Sequence, residues 1–116
     1  VTHDPERVKR FYQDTIGWSF EGKPLEGGYT YWIAMMDGAP VAGIFPVNGR
    51  AGYETVRDNW MPYLAVDDVD ARVARAVAQG ATLMRPIFDI PMVGRLAILL
   101  EPTGAGIGWI TPATAA

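Results

Sequence analysis

Glu101-Pro102-Thr103-Gly104-Ala105-Gly106-Ile107-Gly108-Trp109-Ile110 decides how this chain is read. The apolar run 96–100 precedes it, a Pro- and Gly-bearing turn interrupts, and a second apolar run follows. That pattern predicts a β-hairpin. An earlier stretch has the same form, with Met35-Met36-Asp37-Gly38-Ala39-Pro40 turning into Val41-Ala42-Gly43-Ile44-Phe45. The tripeptide Ala-Gly-Ile occurs in both, at 42–44 and at 105–107.

Working outward, the echo extends upstream. Asp4-Pro5-Glu6 predicts a helix start, with Asp as the cap, Pro in the first turn and an acid near the positive end of the helix dipole. Val8, Phe11, Tyr12, Thr15 and Ile16 share one face at helical spacing, Gly17 ends the helix, and Lys9, Arg10, Gln13 and Asp14 are expected on the wet side. In the second half Asp67 and Asp68 compete to cap a helix whose buried stripe is Val69, Val73, Ala76 and Val77, and Gly80 ends it. Asp4 to Asp67, Gly17 to Gly80 and the two Ala-Gly-Ile tripeptides share one offset. Matches at corresponding structural points argue for a duplicated unit.

Strands are predicted over 18–22, 29–36, 41–47, 60–66, 81–88 (bent at Pro86), 95–100 and 105–111. Val1 and Thr2 read as the end of a short or truncated first strand. The order is β-α-β-β-β twice, module one over 1–48, a connection over 49–59 and module two over 60–116, in a single domain. The 48–59 stretch is polar and Gly-containing, and connections of that length are uncommon without a role, so it also suits a cover over a binding site. The fold class is α+β: two tandem βαβββ modules whose mixed sheet curls around a cleft.

Composition narrows the partners. The 116 residues are 49% hydrophobic, enough for one core, and carry a formal net charge of −3 with no basic patch, which argues against nucleic acid. With no cysteine there is neither a disulfide framework nor a thiolate metal site, and a reducing cytoplasm is expected. No run approaches the roughly 18 apolar residues that span a bilayer, and the N-terminus lacks a signal pattern.

The carriers Thr2-His3-Asp4-Pro5-Glu6, Phe11-Tyr12, Gly17-Trp18, Val66-Asp67-Asp68-Val69-Asp70-Ala71, Gly80-Ala81, Phe88-Asp89-Ile90-Pro91, Gly94-Arg95 and Glu101-Pro102-Thr103-Gly104-Ala105 resemble the vicinal oxygen chelate superfamily of glyoxalase I, bleomycin-resistance proteins and extradiol dioxygenases. The resemblance implies paired βαβββ modules, often built across a homodimer. In metal-dependent members it implies four His and Glu ligands on the first and last strands of the modules, holding a divalent ion that grips two substrate oxygens. Counted from the matching motifs, those positions fall at Met61, Gly108 and Phe45, with the fourth preceding Val1. Thioether, hydrogen and phenyl are not the donors such an ion needs. No metal and no cofactor is therefore expected.

Alternation along the strands puts Phe45, Met61, Tyr63 and Gly108 on the cleft wall, and Ile44, Leu64, Val66, Ile107 and Trp109 toward the helices. Tyr31 and Trp32 point to opposite faces, in an order the pattern leaves open. Phe88 and Arg95 flank the cleft mouth on one reading, with Arg95 ready for an anion; on the other, Asp89 pairs with Arg95 to hold the loop. His3, the single histidine, reads as an exposed residue before a cap, or as a lone base or ligand. The expected function is a metal-free member binding a small apolar or aromatic molecule. The alternative is a divalent-metal-dependent lyase, isomerase or dioxygenase with ligands outside the expected positions.

Overall fold

The structure is a computed structural model and describes residues 1–113. The chain divides into two compact units, one over Val1–Trp60 and a second beginning at Met61.

In the first unit, Asp4 accepts the Arg7 N–H on Oδ1 at 3.1 Å and starts helix α1 (Pro5–Ile16). Gly17, at φ 76°, turns the chain out in the left-handed conformation that a Cβ disfavours, and Trp18 N–H closes on the Tyr12 carbonyl. Strands β1 (Ser19–Pro24), β2 (Thr30–Met36) and β3 (Ala39–Ile44) form an antiparallel sheet in that order. Asp37 and Gly38 both take positive φ at the β2–β3 turn, the geometry that matches the twist of a two-residue hairpin. The first strand is a single parallel bridge between Thr2 and Pro46, with Thr2 N–H donating to the Phe45 carbonyl and Val47 N–H to that of Thr2. The 49–59 segment belongs to this unit. It is built of short turns, Arg50 to Val47, Tyr53 to Arg50 and Val56 to Tyr53.

The expected stripe on α1 needs correction. Val8 and Tyr12 are half-buried, but Phe11 and Ile16 are exposed, and no residue of the helix is fully buried. Lys9, expected in water, lies over the Trp32 ring with Nζ 3.3 Å from its centroid and only 12% of its side chain exposed. The aliphatic stem packs on the sheet and the ammonium faces the ring and Glu6, at 3.0 Å, so the lysine is held inward without losing its charge partners. Trp32 thus points toward α1, and Tyr31 takes the other face.

The second unit contains β4 (Tyr63–Ala65), α2 (Val69–Ala78), β5 (Thr82–Leu83), β6 (Phe88–Ile90), β7 (Gly94–Leu100) and β8 (Gly106–Pro112). Its sheet runs β4-β8-β7-β5, with β6 also on β7 and β4 parallel to β8. The closing hairpin is where the sequence places it. Strand 81–88 is not continuous: β5 ends at Leu83 and pairing resumes at Phe88, because Pro86 has no N–H for the ladder. Asp68 wins the cap, accepting Ala71 N–H on Oδ1 at 3.2 Å, and Asp67 pairs with Arg72 at 2.7 Å instead. The repeat is therefore one residue out of step at the caps while Gly17 and Gly80 keep it. Val69 and Val73 bury against Ala97 and Leu99, with Val66, Ile107 and Trp109 packed around them. Val77, expected in that stripe, is exposed.

Candidate functional site

Cross-strand register sorts the second unit's side chains. Tyr63 pairs with Gly108, Gly108 with Ile98, and Phe88 with Leu96. Ala97 and Leu99 face α2, so their even-numbered neighbours and these partners look the other way. The Tyr63 ring lies across Gly108, where a Cβ would collide with it, and the Met61 methyl lies 3.9 Å from where a Cβ on Gly106 would be. Met61, Tyr63, Phe88 and Gly108 thus share the face turned from α2. Tyr63 is 42% exposed there, and Phe88 carries the Arg85 guanidinium 4.0 Å above its ring.

Arg95 does not join them. It shares a face with Ala97 and Leu99, toward α2. Its guanidinium reaches Asp70 at 2.7 and 3.1 Å and Asp89 at 2.8 Å. The Asp70 carboxylate, then Asp89, raises the guanidinium's already high pKa, and Arg95 in turn lowers that of Asp70. Asp89 pairs with Arg95 as the structural reading of this loop expects. The groups are exposed, so the clamp shapes the β6–β7 turn more than it adds stability.

Phe45 lies in the first unit, past the end of β3. Tyr53 tilts toward it with ring centroids 6.5 Å apart, and Arg50 covers both rings. On the same face Tyr31 sits over Gly43, and burial pushes its hydroxyl pKa above 10.0. His3 Nε2 donates to the Val56 carbonyl at 2.6 Å, so the imidazole fastens the 49–59 segment. Asp58 accepts the Thr2 hydroxyl at 2.5 Å and the His3 N–H at 2.9 Å, and the first of these most strongly holds its carboxyl below the usual 3.8.

The sequence reading did not foresee a hollow of about 430 Å³ in the first unit. Its walls are Val8, Phe11, Tyr12, Ile44 and Trp60, with Asp4, Arg7 and Asp58 supplying polar atoms. Tyr12 stacks on Trp18 at 4.6 Å, and Trp60 meets both edge-on. Trp60 is 62% exposed and Phe11 57%. The signal was there as Tyr12 and Trp18 on either side of a helix-ending glycine. Trp60, however, reads as the start of a strand that begins only at Tyr63. Arg50 was missed because it sits in a stretch read as a connection.

Met61, Gly108 and Phe45, the positions to which the resemblance assigns the ion's ligands, offer a thioether, no side chain and a phenyl ring. These do not fit a divalent cation. Among the described residues, no group of three or more His, Cys, Asp or Glu is placed to hold one.

The profile described as "Glyoxalase-like domain" matches residues 1–106. The chain belongs to the glyoxalase-like family. CFP32 of Mycobacterium bovis and Mycobacterium tuberculosis, named after glyoxylases, is 40% identical over 108 residues, 92% of this chain and 41% of that protein. The anthracycline biosynthesis protein DauV of Streptomyces sp. strain C5 is 36% identical over 106 residues, 91% of this chain and 37% of its own length. This glyoxalase-like chain thus spans about two-fifths of the curated relatives it matches. Among solved structures, TnmS3, an antibiotic binding protein from Streptomyces sp. CB03234, is 28% identical, covering 95% of this chain and 88% of that one, with a TM-score of 0.39. No helix among the described residues is long and apolar enough to cross a membrane.

Proposed function

We propose that this glyoxalase-like chain binds a small apolar or aromatic molecule on the helix-free face of a sheet, without a divalent ion. What carries the reading is the Tyr63–Gly108 pair: a half-exposed ring laid over a glycine, beside Met61 and Phe88, where a chelating member needs imidazole and carboxylate. An apolar surface with few polar groups suits such ligands. Kinship with a protein named for anthracycline biosynthesis supports a planar aromatic ligand, since anthracyclines are planar aromatic molecules.

The hollow under α1 favours a second seat for the same class of ligand, because it is concave and aromatic-walled. Thermal shift against a panel of planar aromatics, with metal analysis of the dialysed protein, tests the first reading. A saturable hit that Tyr63→Ala weakens and Trp60→Ala leaves alone supports the sheet face. The reverse supports the hollow. Stoichiometric Zn, Ni, Mn or Fe surviving dialysis, with activity that chelator abolishes, overturns the metal-free reading. Homodimerisation and a cytoplasmic location complete the proposal.

A further inference from the structure

Arg50 is held by rings instead of by acids. Its guanidinium carbon lies 4.7 Å from the Tyr29 ring centroid, 4.8 Å from that of Phe45 and 5.8 Å from that of Tyr53. Nη1 is sealed from solvent and has no hydrogen-bond partner among the described residues. The nearest acids along the chain are engaged elsewhere: Glu54 accepts the Gly52 N–H at 3.0 Å, and Asp58 accepts from Thr2 and His3. Tyr29 is itself fixed, its hydroxyl donating to the Asn48 carbonyl at 2.9 Å.

A buried donor without an acceptor is a loss that folding leaves uncompensated, and it is greater for a charged group. Native proteins satisfy nearly all such donors, and the exceptions ask for a missing partner. Stacking offsets part of the loss and also fixes the plane of the guanidinium. A fork held flat by aromatic rings suits the two oxygens of a carboxylate.

We propose that Arg50 is the anion-recognising group of a binding site on the face of the first unit's sheet turned from α1. The site takes the carboxylate, or a comparable oxyanion, of a planar aromatic ligand whose ring packs on Phe45 and Tyr53. It rests on the small-molecule reading above only in the class of ligand, adds a separate surface in the first unit, and there asks for an acidic aromatic. The segment that carries Arg50 is held by turn hydrogen bonds and by the His3 and Asp58 contacts, and not by a strand ladder.

The test titrates benzoate and its neutral counterpart benzyl alcohol into the wild-type chain, Arg50→Met and Arg50→Lys, read by NMR. Wild type should bind benzoate more tightly than benzyl alcohol by about 10- to 100-fold, the range of a charge-assisted pair. Arg50→Met should bind the two alike, and Arg50→Lys should recover only part of the preference. If Arg50→Met does not fold, the wild-type Arg50 Nε–H resonance decides, moving with benzoate and not with benzyl alcohol. Equal binding of both probes by wild type, or a benzoate preference that survives in Arg50→Met, overturns the proposal and leaves the aromatic-binding reading standing. Binding of neither probe also overturns the proposal, and the aromatic panel decides the sheet-face reading separately.

Discussion

Helices α1 and α2 start alike, each with an aspartate whose carboxylate accepts the N–H three residues on. From there they diverge. α2 buries Val69 and Val73 against Ala97 and Leu99 in a closed apolar core. α1 buries nothing fully, lays a lysine on a tryptophan, and leaves a hollow beside its first turns. A repeated backbone plan has kept its connectivity while the second helix covers a filled core and the first leaves space beside it. Binding needs unfilled volume, and a filled core excludes it.

The largest expected effect separates the halves on that point. Leu99→Ala removes a fully buried side chain from the α2 core and should cost about 2–5 kcal/mol. Phe11→Ala removes a mostly exposed ring from α1 and should cost less than about 1 kcal/mol. Urea denaturation measures both. Comparable losses would show that α1 packs as firmly as α2, and the contrast between the halves would fail.

A finer contrast concerns two glycines under two tyrosines. A Cβ on Gly43 would strike the Tyr31 hydroxyl, and one on Gly108 the Tyr63 ring. Tyr31 is half-buried, whereas Tyr63 is 42% exposed. Gly43→Ala should therefore cost about 1–3 kcal/mol as an overpacked site, and Gly108→Ala less than about 1 kcal/mol. If Gly108→Ala proves the costlier by thermal melting, Tyr63 is locked in place, and the second unit's open face is more rigid than its exposure implies.

How much of this was legible in the sequence follows from what each feature depends on. The element order, the caps and the hairpins come from local chemistry: Asp before Pro, glycine after the last helical residue, Asp37-Gly38 in a tight turn. The family-wide arrangement came from the resemblance that those motifs carry. Faces that a strand alternates, such as Ile44 in and Phe45 out, were also readable. What failed depends on partners distant in the chain. Lys9 turns inward because Trp32 offers a ring, which no helical wheel shows. Arg95 turns toward α2 because Asp70 waits there, 25 residues away. The hollow exists because segments 1–12, 43–44 and 58–60 converge, and Arg50 is caged by rings at 29, 45 and 53.

The two caps allow the smallest test, and it probes the slip in the repeat. Asp4 caps at φ −139°, on the negative side that any residue adopts, whereas Asp68 caps at φ 34°, on the left-handed side. Asp4→Ala should cost about 1 kcal/mol, the usual value of a lost side-chain cap. Asp68→Gly also loses the carboxylate but removes the strain that a Cβ suffers at positive φ, so the two changes should cancel to within about 0.5 kcal/mol. Chemical denaturation of the two variants resolves the difference. A loss at Asp68→Gly as large as at Asp4→Ala would mean that Asp68 is not strained. The one-residue slip between the repeats would then lie between two equally comfortable caps, and not at a place where the second copy accepts strain to keep its aspartate.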